Sequence, residues 1–229
     1  MVPIASNNEA LIAQGVKFRV LARAFPVLRH DALKPIANAK LATAMMQRAA
    51  GETQNVSEER TQQLLSDVDF MLDEGVDSVR LLGDWLAETD KQIDSYALLK
   101  DCIKLLFSDL LLSGKKVSLL DAKGSSALPL HSSRYIIFGW LLHVIEQSPD
   151  GSAIDIGFIK GNNITATVRP GCGGTVLRAT VGAAGTTLSR EDVQCLASHY
   201  GWAVDSSQAV LSLKLPRPAR TNSAISRAA

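Results

Sequence analysis

The chain has 229 residues, enough for one large domain or two small ones, with 46% hydrophobic residues, 21% charged residues and a net charge of +1. Near-neutrality excludes a global field that would draw it to nucleic acid or an anionic membrane, and no apolar run approaches the ~20 residues of a membrane span. No basic segment precedes a long apolar core at the N-terminus, so no secretion leader is expected, and three scattered cysteines, Cys102, Cys172 and Cys195, suit reduced thiols in a cytoplasm rather than a disulfide framework or a zinc site.

In chain order, the first pattern is a seven-residue recurrence of Leu21, Leu28, Pro35 and Ala42, with Phe25 or Ala24, Ala32, Ala39 and Met46 in the seam between. A second sets Leu65, Leu72, Val79 and Leu86 seven apart, with Val68, Gly75 and Leu82 between them. A sustained repeat of this kind marks helices packed lengthwise, so both stripes are expected in a core. The polar stretch from Gly51 to Asn55 separates the two patterns; Ser57 suits an N-cap, and Glu58 and Glu59 suit a helix N-terminus. Residues ~8–50 and ~57–89 therefore read as an antiparallel helical hairpin. Two helices cannot bury both their faces alone, whereas two hairpins, one per subunit, make a four-helix bundle. A homodimer is expected on that ground.

From about residue 93 the pattern becomes mixed. Tyr96 to Leu112 reads as a helix, Lys116 to Asp121 as a strand, and Ser132 to Gln147 as a strongly apolar helix ended by Ser148-Pro149-Asp150-Gly151. Ala153 to Ile159 and Ile164 to Val168 flank a Gly-Asn turn and read as a hairpin. Thr175 to Val181 reads as a further strand. Leu188 to Tyr200 reads as a helix with Ser189 as N-cap and Gly201 past its end. Ala203 to Asp205 and Ala209 to Leu215 close the fold as a hairpin, and a small, polar, basic tail follows Pro216. The fold class is α+β: a helical hairpin over residues 1–92, an α/β sandwich over 93–217, and a disordered tail over 218–229.

The segment Arg29-His30-Asp31-Ala32-Leu33-Lys34-Pro35 resembles the H-box of sensor histidine kinases, in which an acid follows the histidine and a proline stands five residues after it. The family's basic residue comes three after the histidine; here Lys34 comes four after. The second half is similar to that family's ATP-binding domain: Trp140 to Gly151 resembles the nucleotide-binding helix and its turn, Val193 to Trp202 the last helix, and Gln208 to Pro216 the terminal strand. The residues that hold ATP in the family are replaced. Gly139 and His143 stand at its two asparagines, and Arg169 stands at its adenine-reading aspartate before Gly171-Cys172-Gly173. Its later glycine box is reduced to Gly182-Ala183-Ala184-Gly185, and residues ~170–188 are too few for its nucleotide lid. The resemblance thus implies a bacterial histidine phosphotransferase that keeps the kinase-like plan without ATP binding.

On that reading His30 is the phosphoacceptor. If Leu28 and Ala32 face the core, His30 faces solvent, where a neutral imidazole offers a lone pair to phosphorus. The resemblance gives Asp31 the role of orienting the ring or taking its proton. Lys34, one turn on, is placed to attract phosphate oxygens, Arg29 to add to partner binding, and Pro35 to bend the helix just past the histidine. The partners implied are response-regulator receiver domains or the receiver of a hybrid kinase. Magnesium belongs to those partners, and no cofactor or metal is expected on this chain. His143 reads as a packed helix residue. His131 and His199 show no ligand spacing, and Gly171-Cys172-Gly173-Gly174 reads as a turn rather than a phosphate cradle. Two other readings compete: a docking module that sequesters regulators or kinases without chemistry, and an atypical ATP-dependent histidine kinase.

Overall fold

The computed structural model describes residues 4–51, 58–159, 163–171, 187–207 and 210–214. Two long helices come first, α1 (Ile4–Gly51) and α2 (Glu58–Leu86). Helix α1 runs unbroken through Pro26 and Pro35, each of which removes one backbone donor from a helix of 48 residues. Its inner face is a stripe at spacings of three and four: Val16, Val20, Ala24, Leu28, Ala32, Pro35 and Ala39 are all buried. Ala24 rather than Phe25, which is 39% exposed, takes the inward position. On α2, Gly75 lets α1 approach closely, because a Cβ there would lie 3.0 Å from the Ile36 side chain. Val68 and Leu82 are half-buried beside it.

The Leu65-Leu72-Val79-Leu86 stripe of α2 is not covered within the single chain. Leu65, Leu72, Val79 and Leu86 are all roughly half exposed or more. The reason is geometric: a two-helix pair has one mutual face, so a single chain covers one stripe of each helix. The N-cap expected at Ser57 lies outside the described residues.

The remainder comprises β1 (Gln92–Asp94), α3 (Ser95–Leu105), α4 (Phe107–Leu112), β2 (Lys116–Leu119), β3 (Ala127–Pro129) and α5 (Leu130–Gln147), then β4 (Ala153–Ile159), β5 (Asn163–Arg169), α6 (Arg190–His199), β6 (Ala203–Ser207) and β7 (Val210–Lys214). Five strands form one sheet in the order β2-β4-β5-β7-β6, with β2 parallel to β4 and the other pairs antiparallel. β1 and β3 pair separately. Among the described residues the hairpins expected around residues 160 and 208 are present as β4–β5 and β6–β7. Helix α6 carries the Ser189 N-cap as a full capping box with Asp192, and Gly201 follows it at φ +75°.

The single helix expected over Tyr96 to Leu112 is two helices. The chain turns at the buried Leu106, and the turn lets Leu98, Leu99 and Cys102 from α3 and Leu110 from α4 enter the same core. No glycine or proline announces it. Asp94 starts α3 by accepting from the Tyr96 and Ala97 amides at 3.0 Å each. The turn at residues 160–162, the strand expected at 175–181, the glycines at 173, 174, 182 and 185, Cys172 and the tail lie outside the described residues.

Helix α5 is buried along nearly its whole length, which accounts for its lack of a polar face. Its core is continuous with α1 and α2: Val16, Val20, Ala24, Leu28 and Trp85 belong to the same cluster as Trp140, Leu196 and Leu213. The expected domain boundary between residues 92 and 93 is therefore not a gap in the packing.

Candidate functional site

The described surface of α1 places Arg29, His30, Asp31 and Lys34 on one exposed stretch. At about 100° per residue, His30 lies roughly 160° around the helix from Leu28 and from Ala32, both of which are buried. Its side chain is 73% exposed. The ring Nδ1 lies 3.2 Å from the Asp31 carboxylate, itself 58% exposed. In the tautomer that makes this a hydrogen bond, Nδ1–H donates to Asp31 and the lone pair of Nε2 is left for chemistry. Lys34 and Arg29 are exposed, and among the described residues neither makes an ion pair. Pro35 is buried and packs toward Gly75. The structure therefore brings His30, Asp31 and Lys34 together on solvent-facing helix and turns Pro35 inward.

The N-terminal half of α1 has a second job that the sequence did not announce. It lies over α5 and α6. A Cβ built on Gly139 would sit 3.1 Å from Val20 Cγ2, with Leu188 and Leu196 next. His143 is 6% exposed, and its Nδ1 lies 3.1 Å from the Leu188 carbonyl. Thus Gly139 is covered by the side chains of Val20 and Leu188, and His143 is buried against a backbone carbonyl. Charge follows the same seam. Arg23 reaches Asp109 and Glu146 at 3.3 Å each, and Arg19 pairs with Asp192. Burial pushes the Glu146 carboxyl above its ordinary range, and Arg23 only partly offsets it. Burial acts in the same sense on Asp192, but the Arg19 and Ser189 hydrogen bonds outweigh it and hold that carboxyl low. Arg169 is tied to Asp155 of the neighbouring strand at 2.7 Å.

The base of the hairpin is clamped by the start of α5. Arg134 donates to the Asp84 carbonyl at 2.7 Å, and Tyr135 donates to that of Trp85. His131 Nδ1 lies 2.9 Å from the Ala87 carbonyl, and Lys17 Nζ lies 2.8 Å from its Nε2. The bonds to Asp84 and Trp85 occupy carbonyls that α2 leaves unpaired at its C-terminus. Burial, then the Lys17 ammonium, hold the His131 imidazole below its ordinary pKa. His131 and His143 are thus structural residues. Among the described residues no cluster of histidine, cysteine and carboxylate has metal-binding geometry, and no helix is long and apolar enough to cross a membrane. Cys102 and Cys195 are unpaired thiols, the former buried.

No protein-family model and no curated protein sequence matches the chain. Comparison with solved structures gives a consistent set. Its structural neighbours include histidine kinases, among them a cytoplasmic segment and catalytic domains. The cytoplasmic segment of histidine kinase QseC is 15% identical, with 72% of this chain and 98% of that chain covered and a TM-score of 0.38. Histidine kinase AdeS of Acinetobacter baumannii is 15% identical over 82% of this chain and 97% of its own, at a TM-score of 0.39. A histidine kinase from Burkholderia phymatum STM815 is 12% identical over 80% and 94%, at 0.36.

Val20, Arg19, Arg23 and Glu146 were not singled out from the sequence. The three oppositely charged partners, Asp109, Glu146 and Asp192, are distant in the chain from the two arginines, so no local spacing links them.

Proposed function

We propose that the chain is a histidine phosphotransferase of a bacterial two-component relay, taking a phosphoryl group onto His30 from one receiver-domain aspartate and passing it to another without using ATP. The observation that carries this is the exposed imidazole of His30, held at Nδ1 by Asp31 so that Nε2 faces solvent. In the forward step the Nε2 lone pair attacks the phosphorus of an aspartyl phosphate. The P–N bond forms as the P–O bond to the carboxylate breaks, and the aspartate leaves as the carboxylate. The proton stays on Nδ1, where Asp31 stabilises the cationic ring. Lys34, about one turn away on the same side of the helix, offers charge to the phosphoryl oxygens. The reverse step runs through the same atoms.

The covered α5 supports the ATP-independent part of the reading. Val20 and Leu188 fill the space beside Gly139, and His143 is spent on a backbone carbonyl. A kinase would need this face open to nucleotide.

The experiment is phosphoryl transfer from a panel of receiver domains labelled with radioactive acetyl phosphate. Label should move to the wild-type chain and not to His30→Gln. A parallel titration with ATP and magnesium should show no binding. Labelled wild type with tight ATP binding would point to a kinase, and no label from any receiver, with receivers still bound, to a docking module.

A further inference from the structure

Between α3, α4 and β2 there is a groove of about 490 Å³. Its floor is apolar, with Ile103, Leu110, Val117 and Leu119. Phe107 and Leu111 stand beside it, 65% and 69% exposed. Lys100, Lys104 and Lys116 rim it and are exposed. The fourth lining lysine, Lys115, is turned inward to the Ile145 carbonyl and Asp150 and belongs to the fold. Among the described residues Lys104 is the one rim lysine with a carboxylate partner, Asp101, and that pair is exposed and weak.

Strand β2 forms one wall, and among the described residues it is an edge strand. Lys116 N donates to Ser152 O and Leu120 N to Ile156 O, both toward β4. The alternation of a strand then points the backbone groups of Val117 and Leu119 away from the sheet, and no hydrogen bond to those amides is found among the described residues. A free strand edge beside an apolar trough is the geometry in which an extended peptide adds itself as a further strand. The lysines select the occupant. A second copy of this edge would set Lys116 near Lys116, which disfavours self-pairing, whereas an acidic segment would neutralise the rim.

We infer that the groove between α4 and β2 docks an extended acidic segment of a partner polypeptide, which pairs with the free edge of β2 and lays its alternate apolar side chains on Val117, Leu119 and Phe107. This surface is separate from His30, and the inference does not depend on the phosphotransfer reading.

The test uses the full chain and a short fluorescent peptide alternating glutamate with valine, a matching peptide alternating lysine with valine, and vesicles containing phosphatidylserine. The acidic peptide should bind and the basic one should not. Binding should weaken about tenfold in Lys100→Glu/Lys116→Glu, two surface ion pairs' worth, and should fall with added salt. Hydrogen exchange at the Val117 and Leu119 amides should slow on binding, a readout that charge attraction alone does not move. Absence of binding, or binding without protection of those two amides, overturns the inference. Vesicle binding lost in the double variant, with no peptide binding, replaces it with a membrane contact.

Discussion

Val20 of α1 packs against Gly139 of α5 so closely that a Cβ on the glycine would lie 3.1 Å from the valine Cγ2. Replacing Gly139 with asparagine, the residue type expected of a nucleotide-holding helix, should therefore not create a nucleotide site. It should place an unpaired amide against Val20 and Leu188 and cost about 2–4 kcal/mol through overpacking and polar burial. Urea denaturation checks the loss, and an ATP titration on the folded fraction should stay flat.

Arg23→Ala should destabilise by about 2 kcal/mol, because it strips the cation from a largely buried Glu146. The loss should depend on pH. Glu146 already holds its proton to higher pH when folded than when unfolded, so its contribution falls as pH rises from the ordinary carboxylate range through the raised value. Without Arg23 that rise is larger. The variant should thus lose more stability at pH 7 than at pH 4, and urea midpoints at the two values measure the difference.

His131 should make the clamp at the base of the hairpin sensitive to acid. Its folded pKa is depressed, so below the ordinary histidine range the unfolded chain takes up a proton that the folded chain refuses. Stability should then fall as pH drops from about 6.5 toward the depressed value. His131→Asn keeps a donor for the Ala87 carbonyl and removes the titration, so the gap between the melting temperatures at pH 7.5 and pH 5.5 should shrink.

The exposed stripe of α2 predicts self-association. Sedimentation should find the wild-type chain as a dimer, and Leu72→Glu/Val79→Glu, which places charge in the middle of the stripe, should find it as a monomer with unchanged far-ultraviolet circular dichroism. A wild-type chain that sediments as a monomer at micromolar concentration would leave the stripe unexplained by dimerisation.

Around His30 the effects should separate by role. His30→Gln should abolish transfer. Asp31→Asn, which weakens the hold on Nδ1, should slow it about tenfold, in line with the loss of an orienting partner. Lys34→Ala should slow the transfer step and leave receiver binding nearly unchanged, which single-turnover kinetics and a binding titration distinguish.

The hairpin, α5, α6 and the β4–β5 pair were legible because each rests on a repeating local signal: seven-residue spacing, an unbroken apolar run, a Ser189 cap, or alternation around a turn. The exposed placement of His30 was legible for the same reason, since Leu28 and Ala32 fix the inner face. The break at Leu106 was not, because tertiary packing of Leu98, Leu99, Cys102 and Leu110 sets it without a breaking residue. Strands β1 and β3 are three residues each, too short for a period to register. The α1–α5 seam was hidden because Val20 and Gly139, or Arg23 and Glu146, meet only in three dimensions. The repeat on α2 marked a packed face without saying which of its residues a single chain would cover, and α1 covers Gly75 rather than Leu72 or Val79.

The core that joins α1 to α5 has a consequence for modularity. Grafting residues 1–92 onto another protein would carry Val16, Val20, Ala24, Leu28 and Trp85 into water, and the orphaned remainder would bare the surface around Gly139 and Leu196. Neither fragment is a self-sufficient part in the way a shuffled domain must be. The helix that carries His30 and the α/β unit thus stand or fall together, and an alteration that loosens one should be felt in the other.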